Sequence, residues 1–393
     1  MVPSSVPPAE GDEPQQERRM QGVEIKFQPE QTQTYLGSPA LVRAPDGALL
    51  ASHDYFGPGC PRNHEREEAL LSLYRSTDEG RSWTPITHVM NAYWSSLFVH
   101  QGRLYLFGVS QQYGSVVIRR SDDSGFTWTH PADERSGLLV RGGTYHENPN
   151  YHCAPVPVLC WNGRLYRAFE DCEHAVWGRG FKSLVLSVAV AADLLDARQW
   201  TVSTPLAFDP GWLPAAWPKL DNPGWLEGNV VADPQGALWN ILRVHSSPLA
   251  DKAAMVRVLD DGRSLAFDPA TGFIDFPGGM TKFTIRRDAL SGRYLTLCNN
   301  NTDPGTPAQR NVLSLAVSDD LRSWRVAVRL LEDDTGLPWN LSLKLTGFQY
   351  VDWQFDGEDL IYLVRTAYRG AHNFHDANRL VFQRLPAYRR YTG

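Results

Sequence analysis

Tyr350 and Glu227 have the residue types of a nucleophile and its base. A tyrosine hydroxyl attacks an electrophilic carbon only when a neighbour takes its proton, and a buried glutamate can do so. Arg243 and Arg365 follow them in sequence and offer guanidinium forks for an anionic group on a substrate. A second set, Tyr151, His152 and Arg167, suits a different reaction. An arginine that neutralises a carboxylate acidifies the adjacent carbon-bound proton; a histidine or tyrosine removes it, and another protonates the leaving oxygen. A proton donor for the first set would come from residues 53–68, where Asp54, Glu65 and Glu67 stand. Metal ligation has weaker support. His372, His375 and Asp376, or Asn299-Asn300-Asn301 with Asp303, are ligand types, but their spacing matches no established motif. No metal and no cofactor are expected.

These residues are far apart in sequence, so the fold must gather them. The element that recurs is a hairpin: an apolar strand, a tight turn ending in Gly, then a second apolar strand. Its turns are Pro45-Asp46-Gly47, His100-Gln101-Gly102, Trp161-Asn162-Gly163, Pro234-Gln235-Gly236, Ser291-Gly292 and Asp356-Gly357. They recur at intervals of roughly sixty residues, and with a third and often a fourth strand after each hairpin they describe propeller blades. The expected fold is all-β, a six-bladed β-propeller of four-stranded blades, with seven blades as the alternative if the irregular stretch 201–225 hides another. Innermost strands are expected at Pro39–Val42, Ser96–Val99, Val156–Leu159, Asn229–Val231, Lys282–Ile285 and Tyr350–Trp353. Arg379–Phe382 should pair with Gly22–Phe27 and close the ring, which removes exposed sheet edges. Residues 1–21, polar and rich in Pro and Glu, read as a disordered tail, and 22–393 as a single domain.

In such a ring, innermost strands start and second strands end at one channel mouth. Polar residues at those positions should converge there. The first unit supplies His53 and Asp54, the second Trp94, Gln111 and Gln112. The third supplies His146, Tyr151 and His152, with Arg167, Glu170 and Asp171. The fourth supplies Glu227, Asn229, Arg243 and His245, the fifth Lys282 and Asn300. The sixth supplies Gln349, Tyr350, Arg365 and Tyr368, with His372 beyond.

A shorter motif repeats between strands. Ser76-Thr77-Asp78-Glu79-Gly80-Arg81-Ser82-Trp83 and Ser121-Asp122-Asp123-Ser124-Gly125-Phe126-Thr127-Trp128 share the pattern S-x-D-x-G-x-x-W, and Ser318–Trp324 is a shortened copy. The Asp caps its own turn, the Gly takes a positive φ, and the Trp packs beneath. This motif resembles the Asp-box of the sialidase-like β-propeller superfamily, in which the box is a structural hairpin remote from the active site. The resemblance extends to the site. It implies a Glu at the start of the fourth blade, matched by Trp225-Leu226-Glu227, an Arg at the end of the next strand, matched by Arg243, and a nucleophilic Tyr opening the sixth blade, matched by Gly347-Phe348-Gln349-Tyr350. Two departures stand out. The Arg-Ile-Pro that opens a sialidase's first blade is Gly37-Ser38-Pro39 here, and the fifth-blade Arg corresponds to Lys282, which cannot supply a bidentate fork. The resemblance therefore implies a glycoside hydrolase for a terminal anionic or unusual sugar rather than a true sialidase. Tyr151-His152-Cys153-Ala154-Pro155 also resembles a segment of propeller polysaccharide lyases and rhamnosidases, so a uronate-directed lyase is an alternative. A glycan-binding propeller without catalysis is a third.

Composition narrows the partners. A net charge of −6 does not suit a nucleic-acid surface, and no apolar run is long enough to span a bilayer. The 13 Trp and 15 Tyr suit sugar stacking, though aromatic blade cores require them too. The expected partner is an oligosaccharide or polysaccharide, uronate-containing chains among them. Five cysteines without close pairs fit no disulfide framework. With no apolar segment near Met1 to act as a signal, the expected location is cytoplasmic.

Overall fold

A computed structural model describes residues 21–62, 69–143, 147–173 and 177–393. Six antiparallel sheets follow one another along the chain as the blades of a propeller. The long inner and middle strands of the blades are largely buried. Val312–Ser318 is buried along its whole length, and so is the innermost strand Gly224–Ala232. Burial on both faces is what a sheet sandwiched between two neighbours requires. The cores are correspondingly inter-blade. Phe107 and Ile118 of the second blade pack with Phe169 and Leu186 of the third, and Leu297 and Leu315 of the fifth pack with Val351 and Trp353 of the sixth.

Val23–Phe27 pairs with Arg379–Leu385, Val23 opposite Phe382 and Phe27 opposite Arg379, so the last blade is built from both ends of the chain as expected. Within 201–225, Thr201–Val202 and Leu206–Ala207 both pair with Lys182–Ala189 as the outer edge of blade three, which makes the count six and not seven. The innermost strand expected at Val156–Leu159 is instead split into Tyr151–His152 and Leu159–Trp161. Pro155 and Pro157 lie in the gap, where neither can donate to the ladder. In blade five the strand is Thr284–Arg287, leaving Lys282 just ahead of it.

The repeated turn has the bonds its residue types predict. Ser76 Oγ donates to Asp78 Oδ1 (2.8 Å) and accepts from Gly80 N (2.9 Å), while Trp83 Nε1 donates to the Gly80 carbonyl (3.2 Å). Ser121, Asp123, Gly125 and Trp128 repeat the arrangement, with Trp128 Nε1 3.0 Å from the Gly125 carbonyl. In the third copy Leu321, at φ 67°, takes the glycine's place. Among the described residues no helix is long and apolar enough to cross a membrane.

Strand alternation decides which polar residues reach the channel, and it separates His53 from Asp54. His53 points into blade one and is fully buried, Nδ1 donating to the Asp54 carbonyl (2.9 Å) and Nε2 accepting from Tyr74 Oη (3.1 Å). Burial, with Lys26 and His88 adding to it, pushes its pKa down to about 4. The unfolded chain therefore binds a proton near pH 6.5 that the folded protein refuses until about 4. Stability present above pH 6.5 is lost as pH falls toward 4, by roughly 3 kcal/mol from this residue. In urea titrations His53→Gln should flatten the dependence of unfolding free energy on pH between 6.5 and 4. An unchanged slope would contradict the assignment.

Candidate functional site

Three innermost strands break register near one end: between Tyr93 and Ser96 in blade two, Leu226 and Asn229 in blade four, and Gln349 and Asp352 in blade six. Each break holds a residue in the left-handed region, Trp94 at φ 46°, Glu227 at φ 57° and Tyr350 at φ 53°. A bulge re-aims a side chain that the pleat would otherwise direct elsewhere. Bulky residues held at such φ cost of order 1–3 kcal/mol each and persist only where surrounding structure imposes them. The bulges thus serve to bring Glu227 and Tyr350 together across the ring.

Tyr350 Oη donates to Glu227 Oε1 at 2.8 Å, and Arg243 Nη1 donates to Glu227 Oε2 at 2.7 Å. Both partners of the ion pair are almost fully buried. Burial alone would raise the Glu227 pKa; Arg243, with His152 and the Tyr350 hydroxyl, outweighs it and holds the carboxyl below its usual range. Tyr350 moves the other way. Burial and the Glu227 charge raise its pKa, against the pull of Arg243, Arg310 and Arg365. At neutral pH the pair is a protonated phenol donating to a carboxylate, an arrangement in which the phenol can pass its proton to a base already in contact.

Above this pair lies a cavity of about 290 Å³, lined by Asp54, Phe56, Trp94, His152, Tyr350 and Arg365, with Tyr93, Gln112, Tyr113, Trp177 and His375 completing the wall and Gly37 its edge. Arg365 stacks on Tyr350 (4.9 Å) and on Phe56 (4.7 Å). Its Nη2 donates to the His375 carbonyl at 2.6 Å. Partial burial, then the Arg365 and Arg310 charges, push His375 down to about 4, so its ring is neutral and accepts from Arg365 Nη2 through Nε2 at 3.3 Å. Arg310 lies 5.5 Å from the Tyr350 ring centre and donates to Gln349 Oε1. Among the described residues neither Arg310 nor Arg365 makes an ion pair, although both are buried. Buried guanidiniums without a carboxylate are costly to the fold and suited to receiving an anion.

Other sequence candidates lie elsewhere. Arg167 is fully buried between blades two and three, stacked on Phe107 and Phe169, its Nη2 donating to the Ala154 carbonyl (3.0 Å). It sits mid-strand, because Arg164–Asp171 runs on past it, and this removes it from the mouth. Tyr151 packs on the core between blades two and three and pairs with Asp171, outside the cavity lining. Lys282 is buried and ties blades five and six together, Nζ donating to the Val351 carbonyl (2.8 Å); burial lowers its pKa to about 8. Asn229 bridges blades four and five through the Phe283 carbonyl and the Ile285 N–H. Asn300 accepts from Ser314, and Tyr368 donates to Asp334 in a separate cleft. His245 bonds the Asp221 and Asn222 carbonyls, His372 bonds Asp376, and Gln111 is buried beside the lining residue Gln112. These positions correct the expectation that all of them face a substrate. His146, Glu65 and Glu67 lie outside the described residues. Among the described residues no cluster of His, Cys, Asp and Glu could hold a metal ion.

Arg310 was not among the sequence candidates. Trp177 was not named either; both precede third strands, as do the sequence candidates Gln112 and His375, and third strands start at the same mouth where second strands end. Applying the convergence rule to third-strand starts would have found them.

Two comparisons with known proteins return nothing: the chain matches no family model and no curated protein. Solved structures do match it along nearly its whole length. A Penicillium chrysogenum α-L-arabinanase complexed with arabinobiose is 15% identical, with 94% of this chain and 98% of that one aligned at a TM-score of 0.56. A Hadza microbial sialidase is 14% identical over 93% of this chain and 68% of its own, at 0.58. A Trypanosoma rangeli sialidase in complex with sialic acid is 15% identical over 89% and 54%, at 0.57. The fold is that of the sialidase-like six-bladed propellers.

Proposed function

We propose that this protein is a retaining glycoside hydrolase that releases a terminal, carboxylate-bearing sugar. The observation that carries the reading is the 2.8 Å bond from Tyr350 Oη to the buried Glu227 carboxylate. Tyr350 attacks the anomeric carbon as its proton passes to Glu227, and water later displaces the tyrosine, so two inversions leave the configuration retained. Arg310 and Arg365, which lie beside Tyr350 and have no ion-pair partner among the described residues, support an anionic substituent near that carbon. The sugar is not expected to be held as a sialidase holds it. A Cβ at Gly37 would stand 1.7 Å from Asp54 Oδ1, so the first-blade arginine of sialidases has no room here. The lyase set finds less support, since His152 reaches the cavity while Tyr151 and Arg167 do not.

The test is a panel of 4-nitrophenyl glycosides covering uronic, sialic and α-L-arabinofuranosyl sugars, with NMR of the first-formed anomer. Turnover of an acidic sugar with retention is expected. Its methyl ester, and the Arg310→Met variant on the acid, should lose roughly 10–100-fold in kcat/KM, the worth of one charged hydrogen bond. Turnover confined to the neutral arabinofuranoside, with Arg310→Met unaffected, would refute the anionic sugar. Binding without turnover across the panel would point to a glycan-binding propeller.

A further inference from the structure

Departure of the aglycone needs a proton, and the Tyr350–Glu227 pair, whose one proton passes from the phenol to the carboxylate, does not supply it. Resting on the hydrolase reading, we infer that His152, oriented by Glu170, is the general acid and base of the reaction. His152 lines the same cavity as Tyr350 but comes from blade three, on the opposite side of the ring from blade six. A scissile bond held in the cavity would thus lie between them. His152 Nδ1 is 2.7 Å from Glu170 Oε2, and Glu170 is fully buried. Its other oxygen accepts from Gly228 N at 3.3 Å, the residue directly after Glu227. Trp94 meets the imidazole edge-on at 4.2 Å, and Phe181 stacks on it at 4.9 Å. The ring can therefore neither swing nor flip freely. A carboxylate at Nδ1 fixes the tautomer, stabilises the imidazolium and leaves Nε2 to exchange protons.

The lining's one carboxylate and its other imidazole are already engaged among the described residues. Asp54 accepts from Ser38 N with Oδ1 and from Trp94 N with Oδ2, both at 2.7 Å. His375 offers Nε2 to Arg365 as an acceptor and is unprotonated at neutral pH.

The steps balance. The Tyr350 oxygen bonds to the anomeric carbon, and its proton goes to Glu227. The bond to the aglycone breaks, and that oxygen takes the proton from His152 Nε2. Water then attacks the same carbon, giving a proton to His152. The tyrosyl oxygen leaves and recovers its proton from Glu227, which restores the enzyme.

The experiment compares leaving groups on one sugar, the best acidic substrate from the panel, as its 4-nitrophenyl and its methyl glycoside. Nitrophenolate departs without help, whereas methoxide must be protonated. His152→Ala should slow the methyl glycoside by about 10²–10⁴-fold, the usual range for general acid catalysis, while the first turnover of the nitrophenyl glycoside stays within about tenfold of the parent. Azide should restore turnover and yield a glycosyl azide of retained configuration. Glu170→Gln should show the same selectivity in weaker form, with the basic limb of the pH profile moved to lower pH. It decides the matter if His152→Ala does not fold. Equal losses on both leaving groups without azide rescue would overturn the dyad and leave the hydrolase standing. A parent that hydrolyses nothing, or Tyr350→Phe as active as the parent, would overturn both.

Discussion

Tyr350→Phe should lose hydrolysis on the order of 10⁴-fold or more, as removal of a nucleophile does in other covalent mechanisms, while keeping its fold. The change removes one oxygen and leaves the ring that Arg365 and Arg310 stack against. It takes from Glu227 one donor, but Arg243 still bonds the other carboxylate oxygen at 2.7 Å. Loss of one buried hydrogen bond should cost about 1–3 kcal/mol of stability. Kinetics should therefore collapse in kcat, with substrate binding largely preserved. A substrate bearing fluorine beside the anomeric carbon, which slows the second step, should label the parent on Tyr350 and leave the Phe variant unmodified. A variant that retains more than a few per cent of parental kcat would mean that another group attacks the sugar.

Glu227→Ala should be the more damaging substitution, because it removes two functions together. In the proposed reaction the base that takes the Tyr350 proton is gone, so activity should fall as far as in the Phe variant. The stability effect is larger. Arg243 is 4% exposed at its side chain, and Glu227 is its ion-pair partner among the described residues. Removing one member of a buried pair strands the other charge, at about 3–5 kcal/mol. Trp177, 5.6 Å from the Arg243 guanidinium, offers partial compensation only. Urea denaturation should show that loss for Glu227→Ala and a smaller one for Glu227→Gln, which keeps the side chain's volume and a carbonyl acceptor. If Ala and Gln behave alike in stability, the charge on Glu227 is not what holds Arg243.

The site holds backbone strain, and its position is informative. Trp94, Glu227 and Tyr350 occupy equivalent bulges in alternate blades, each with positive φ. Bulges of this kind are kept where a side chain must be aimed, and the cost is borne by the rigid blades on either side. The Tyr350–Glu227 contact spans 123 residues of sequence and depends on two such bulges at once.

Much of this was legible locally. Hairpin turns recur by composition, and the third strand and the Ser-Asp-Gly-Trp turn follow from residue types within ten positions of one another. Blade number, ring closure by the terminal strand and the nearness of Glu227 to Tyr350 could therefore be read from repeat spacing and from the family resemblance. The failures share one cause. His53 and Asp54 are adjacent, yet strand parity sends one into a blade core and the other to the cavity. Arg167 has the right type and lies a few residues from a strand end, yet its guanidinium is spent inside a core. Arg310 belongs to a loop with no periodicity, and only the assembled ring brings it over Tyr350. Pairing of His152 with Glu170 depends on where Pro155 and Pro157 split a strand, which sets the register of the two residues that remain. Periodicity is a short-range signal and specifies which elements form. One-residue register, bulge placement and loop reach depend on packing between blades, and those decided which of the polar residues share a cavity.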